Sequence, residues 1–140
     1  MNNNISQPHT ELLISAQKQF ADGDYRESVV LSHIAIEIVA DQILVKLINT
    51  VQPAGVRPWL LKQIETNHNL GTTKASKLYE ALSSDMITKS DLWASFLIGN
   101  QLRNDIMHEG VDVSEEQARS VLENTHAMIN HLESQIEKLS

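Results

Sequence analysis

Apolar residues recur at helical spacing along nearly all of the 140-residue chain, and no segment shows the two-residue alternation of a half-buried strand. Leu12, Leu13, Ala16 and Phe20 define a first helix over residues 11–21, with Thr10 placed to cap it and Asp22-Gly23-Asp24 turning the chain. A second helix is expected over 25–49. Its apolar side chains, among them Val29, Val30, Ile34, Ile36, Ile38, Ile43 and Leu44, cover most of its circumference, which makes it central or shared with a partner. Pro53, Gly55 and Pro58 end it, and short helical pieces follow near 59–64 and 74–82.

A third long helix is expected over 88–108, with Thr88 as N-cap, Asp91 three residues on, and Gly110 as its natural stop. Ser114-Glu115-Glu116-Gln117 is a fuller capping box with two acids in the positive first turn, and it opens a last helix reaching 139. The stripe Ala118, Val121, Leu122, Thr125, Met128, Ile129, Leu132, Ile136 and Leu139 is nearly heptad in spacing, which suits antiparallel packing. The expected class is all-α: an antiparallel four-helix bundle with short helical insertions between the second and third long helices. Residues 1–9 are expected to be a flexible N-terminus and 10–140 a single domain, a length that suits one modest core.

Charge and composition narrow the chemistry. Eighteen acidic residues against eleven basic give a net charge of −7, which argues against a protein that coats nucleic acid non-specifically. The basic residues are scattered, and the densest group, Lys74, Lys77 and Lys89, reads as a solvated face. The absence of cysteine excludes a disulfide framework or thiolate metal site. The start Met1-Asn2-Asn3-Asn4 has no charged leader, and no segment reads as an uninterrupted membrane span, so a cytoplasmic address without membrane contact is expected.

The hexapeptide Arg103-Asn104-Asp105-Ile106-Met107-His108 breaks the apolar pattern. On a wheel of roughly 100° per residue, Ile106, Leu92, Phe96, Met107, Trp93 and Leu97 share one broad arc. Asn100, Arg103, Asn104 and His108 fall inside it. A buried unpaired guanidinium is costly, so a carboxylate meets Arg103 or the arc opens onto a cleft or subunit interface. The same wheel puts His33 and Glu37 on the main apolar arc of the second helix, beside Val29, Ala40 and Leu44, which makes Glu37 the expected partner of Arg103. The plain alternatives are an Arg–Glu pair that only fixes helix register and a histidine favoured in a last helical turn by the macrodipole.

Arg103-Asn104-xxx-His108 resembles the RNxxxH form of the Arg-x4–6-His signature of the HEPN family (higher eukaryotes and prokaryotes nucleotide-binding). The likeness extends to the Gly23-Asp24-Tyr25-Arg26-Glu27 lead-in to a long apolar helix, Glu37 within it, and a final amphipathic helix, so that it covers about residues 10–139. It implies a metal-independent ribonuclease with no cofactor, in which a homodimer pairs two motifs and the RNA is cut by its own 2′-hydroxyl. His108 would then be general base or acid, since histidine exchanges protons near neutrality. Arg103 would hold the phosphate oxygens and stabilise the extra transition-state charge. Asn104 would orient the imidazole or bond the phosphate, with Glu37 and His33 in support. Five residues apart, Arg103 and His108 project roughly 140° from each other, which one chain alone uses awkwardly and a two-fold pair resolves. Many such toxins carry, four residues after the motif histidine, a tyrosine modified by a minimal nucleotidyltransferase antitoxin. Here that position is Asp112. The family also holds members that bind a protein or nucleotide without cutting.

Two other classes leave traces. Glu65 to His68 and Glu123 to His126 have the Glu-x-x-His spacing of di-iron bundles, but Glu123 lies opposite its core stripe and His68 falls in a turn-like run. Ala16, Phe20, Gly23, Asp24, Tyr25 and Ala35 suggest one tetratricopeptide unit with no second copy. Of the aromatic residues, Trp93 and Tyr25 are placed as core, and Trp59 is open.

Overall fold

The computed structural model describes residues 7–64 and 70–139. Six α-helices account for most of them: α1 (Pro8–Ala21), α2 (Tyr25–Ile48), α3 (Arg57–Ile64), α4 (Thr73–Ser83), α5 (Asp91–Glu109) and α6 (Glu115–Glu137). Short 3-10 turns lie at Ala54–Val56 and Ile87–Lys89, and there is no strand among the described residues.

The first helix starts earlier than the sequence suggests. Pro8 takes the first helical position, where its fixed φ and missing N–H cost nothing, and Thr10 lies inside the opening turn instead of capping it. His9 is buried and its Nε2 stands 3.1 Å from the Glu133 carboxylate on α6, so residues 8 and 9 belong to the folded domain. Gly23, at φ +84°, makes the left-handed turn that returns the chain into α2. The Ser28 hydroxyl then donates to the Ala16 carbonyl at 2.8 Å, tying α2 to α1.

Helix α2 is the centre of the structure. It touches α1, α3, α4, α5 and α6, and Val29, Ile36, Val39, Ile43, Leu44 and Leu47 are all buried on it. Contrary to the sequence expectation, α2 is by length and composition apolar enough to cross a membrane, yet more than half of its most apolar stretch is covered by the other helices. A helix with neighbours on most of its sides needs that composition. An apolar stripe of Val30, Leu31, Ile34, Ile38 and Val45 is left half-buried along it.

The connection between α2 and α5 is built by local hydrogen bonds. Thr72 caps α4 by accepting from the Ala75 N–H at 3.2 Å. Thr88, expected as the cap of the third long helix, sits in the 3-10 turn, where its N–H and hydroxyl donate to the Glu80 carboxylate at 2.9 and 2.7 Å. The reach of Glu80 from α4 outcompetes a local cap, and α5 begins three residues later behind Ser90. The buried Tyr79 phenol, pushed well above its ordinary pKa by burial and by Asp85, donates to Asp85 Oδ2 at 2.5 Å. The same oxygen lies 2.6 Å from His131 Nε2 on α6.

The later helix ends follow the sequence closely. Gly110, at φ +64°, closes α5 with its N–H on the Ile106 carbonyl. The capping box forms in full: Gln117 N–H donates to Ser114 Oγ at 3.1 Å, and Ser114 N–H donates to Gln117 Oε1 at 2.9 Å. Along α6, Ala118, Val121, Thr125, Met128, Ile129 and Leu132 are buried as the stripe predicts, while Leu139 lies beyond the helix and is exposed.

Because Leu44 is fully buried on the central helix, Leu44→Ala is expected to cost about 2–5 kcal/mol through lost transfer energy and the cavity left behind. Urea unfolding measures it; a loss below about 1 kcal/mol would contradict the central placement of α2.

Candidate functional site

The polar groups of the motif meet where α5 crosses α2. Arg103 Nη2 donates to Glu37 Oε1 at 2.7 Å, and both side chains keep about a quarter of their surface, 24% and 26%, in solvent. The partner expected from the two wheels is the one found. Arg103 Nη1 also donates to Asn104 Oδ1 at 3.3 Å, so the asparagine oxygen is spent on the guanidinium. No bond joins Asn104 to His108 among the described residues.

His33 lies one turn before Glu37 and is 2% exposed, with its ring stacked on Phe96 at 5.8 Å between centroids. Burial, helped by the nearby Arg103 guanidinium, pushes the imidazole down to about 4, so His33 is neutral at physiological pH. Space for the ring comes from Gly99: a Cβ there would stand 2.8 Å from His33 Nε2 and 3.5 Å from Val121 Cγ2. Sequence reasoning missed this role. Its signal was an isolated glycine inside a helical pattern, which marks a close approach when it is not a cap.

His108 departs from the wheel. It is exposed, and its ring makes no hydrogen bond to a described residue. The buried line of α5, Trp93, Phe96 and Gly99, ends one turn before Arg103, and Met107 is 62% exposed. The last two turns of α5 lie half-covered, so an apolar arc drawn over the whole helix overstates burial at its C-terminal end. Arg26, also missed, donates from Nη1 to the Gly110 carbonyl at 3.1 Å and pins that end of α5 to the start of α2. Beside it is a hollow of about 390 Å³ lined by Gln19, Arg26, Glu27, Val30, Leu31 and Ile106. Ile106 and His108, two residues apart, project roughly 160° from each other, so hollow and imidazole are on different sides of α5.

A single chain thus gathers Arg103, Asn104, Glu37 and His33 and leaves His108 apart at the rim. As arranged, the cluster offers a held guanidinium to an anion and, further along the same helix, an exposed imidazole without a hydrogen bond to a described residue. No group of three or more histidine, cysteine, aspartate or glutamate side chains suited to a metal ion occurs among the described residues. The Glu65–His68 string lies outside the described residues. Glu123 is exposed, and His126 pairs with the Gln17 amide at 2.9 Å. Compared with known proteins, the chain matches no family model, no curated protein and no solved structure.

Two measurements address this cluster. A double-mutant cycle on Glu37→Gln and Arg103→Gln is expected to return a coupling of about 1–2 kcal/mol, as for a partly buried ion pair; a coupling near zero would mean that water screens the pair fully. For His33, the folded pKa lies below the unfolded one, so the unfolded chain binds the extra proton. The stability His33 contributes by staying neutral is therefore complete above about pH 6.5 and is lost as the pH falls to about 4. The loss is on the order of 3 kcal/mol. His33→Gln should unfold with a visibly flatter pH dependence over that window than the unsubstituted protein, and parallel profiles would refute the assignment.

Proposed function

We propose that this chain is a metal-independent endoribonuclease of HEPN type: a four-helix bundle with helical insertions, acting in the cytoplasm as a homodimer in a toxin or defence role. The observation that carries the reading is the Arg103–Glu37 contact at 2.7 Å, which holds a guanidinium at fixed height on α5 beside Asn104, one turn and a half before an unengaged His108. The likeness to the family rests on those residues and on the order of the helices.

In the proposed reaction two copies meet so that both motifs line one cleft. The half-buried stripe Val30, Ile34 and Ile38 is the apolar surface such a contact would cover. One His108 takes the proton of an RNA 2′-hydroxyl as its oxygen attacks the adjacent phosphorus. The partner's His108 returns a proton to the departing 5′-oxygen, which leaves a 2′,3′-cyclic phosphate and a 5′-hydroxyl. Arg103 stabilises the pentacoordinate phosphorus, and Glu37 keeps it aimed. No step calls for a metal or cofactor.

A second reading, a non-catalytic module that binds a protein or nucleotide, is favoured by one observation: Glu37 and Asn104 both accept from the guanidinium that would have to hold the phosphate. An antitoxin of the minimal nucleotidyltransferase type is a candidate partner, although Asp112 stands where the modified tyrosine is expected.

Purified protein is expected to run as a dimer in analytical ultracentrifugation and to cut RNA in excess EDTA. Arg103→Ala and His108→Ala should each slow cutting by about 10²-fold or more while leaving the dimer intact; thermal unfolding should be unchanged in His108→Ala and lowered in Arg103→Ala, which strands Glu37 without its partner. Cleavage that survives both substitutions, or a monomer that cuts equally well, removes the composite site; a dimer that never cuts favours the second reading.

A further inference from the structure

The acidic balance of the chain is not evenly spread. Residues 42–79 hold five basic side chains, Lys46, Arg57, Lys62, Lys74 and Lys77, and one acid, Glu65. The remainder therefore carries six basic and seventeen acidic residues, so a stretch of net +4 sits in a background of −11. That stretch contains α3 and the first seven residues of α4, whose lysines are exposed, and it also presents Trp59, 62% exposed.

The exposed groups are ordered. Trp59 and Lys62 are three residues apart on α3, and Lys74 and Lys77 are three apart on α4, so each pair shares a helix face. Lys74 Nζ reaches Gln63 Oε1 at 3.4 Å, which brings the second pair alongside the first. Lys62 also lines an open hollow of about 490 Å³ with Asp41, Val45, Pro58, Leu61 and Ile64, on the wall of α2. Asp41 is the one carboxylate among the described residues that line it. Glu80, the next acid along α4, is engaged by Thr88. Asp41 is four residues, about one turn, on from Glu37 along α2, so the hollow begins one turn from the Arg103 partner.

We propose that α3 and α4 form a platform for single-stranded nucleic acid, on which Trp59 stacks a base and Lys62, Lys74 and Lys77 hold the adjoining phosphates. An exposed flat ring beside ammonium groups is the pairing that single strands use, since every base offers a π-face and every linkage a charge. An anionic membrane fits less well. Ile64 is buried and Leu60 and Leu61 are half-buried against the core, so that among the described residues of α3 and the turn before it Trp59 and the smaller Val56 are the exposed large apolar side chains left to insert. That the bound strand is the RNA delivered to Arg103 and His108 rests on the ribonuclease reading; the binding itself does not.

The test uses a fluorescein-labelled 2′-O-methyl oligouridine, which lacks the nucleophilic hydroxyl and so reports binding without cleavage. Anisotropy titrations should show Trp59→Ala weakening binding about tenfold. The double charge reversal Lys62→Glu/Lys74→Glu should weaken it at least tenfold at low salt, with the gap closing as salt rises. Binding should also quench tryptophan fluorescence in the unsubstituted protein but not in Trp59→Phe, where only the buried Trp93 remains. Circular dichroism checks that these surface variants stay folded. Equal affinity across the folded variants overturns the platform, as does failure of the unsubstituted protein to bind. Trp59-dependent binding to phosphatidylserine vesicles with no oligonucleotide binding overturns it in favour of a membrane. Trp59-dependent binding by a protein that leaves unmodified RNA uncut supports the platform and removes the ribonuclease reading alone.

Discussion

The rest of the structure depends on one requirement, that α2 be surrounded. A 24-residue helix that is apolar on nearly every side cannot rest on a surface, and five other helices touch it. What they leave open is as informative as what they cover. The half-buried residues Val30, Ile34 and Ile38 form a line along α2 that no described element seals. Two of the polar residues within α2 are answered individually, Ser28 by the Ala16 carbonyl and Glu37 by Arg103.

That second answer explains why polar groups recur in α5. Removing one partner of a partly buried ion pair is expensive, whereas the pair as a whole adds little net stability. Such a pair is better understood as fixing register than as strengthening the core. It specifies which turn of α5 faces which turn of α2. Gly99 acts in the same direction by a different route, because only a residue without Cβ admits the His33 ring at that distance. Ion pair and close approach sit one turn apart on both helices, so the height of α5 on α2 is set twice, and the position of His108 at its end is set with it.

What the sequence conveys of this arrangement divides along physical lines. The Arg103–Glu37 pairing was legible because each charge stood alone on an apolar arc, and burial cost leaves few other solutions. The Ser114–Gln117 box was legible because every atom involved lies within four residues. Thr10 and Thr88 misled for the converse reason: a cap competes with whatever else reaches the site, and Pro8 in one case and Glu80 in the other won. The exposure of His108 and Met107 was hidden because a wheel averages over a helix and does not register where its neighbours stop. Trp59 was undecidable without knowing that the opposite side of α3, Leu60, Leu61 and Ile64, is the one that packs.

Electrostatics alters the weight of the first inference from composition. A net charge of −7 argues against indiscriminate binding of nucleic acid only if the charge is felt everywhere, and at physiological ionic strength exposed charges are screened beyond about 8 Å. Over that range the local arrangement decides. A strand approaching α3 and α4 meets lysines and an open indole, while one approaching elsewhere meets the acidic remainder of the chain. The overall deficit of positive charge then disfavours wrong approaches and leaves one face on which a polyanion is tolerated. The same reasoning gives Glu37 a double character. It neutralises Arg103 at long range, which makes the cluster a poor attractor of anions from solution, and on the proposed ribonuclease reading it would order the guanidinium for a phosphate already delivered. On that reading attraction and alignment would be carried by different residues, the first by lysines on the inserted helices and the second by an ion pair between the long ones.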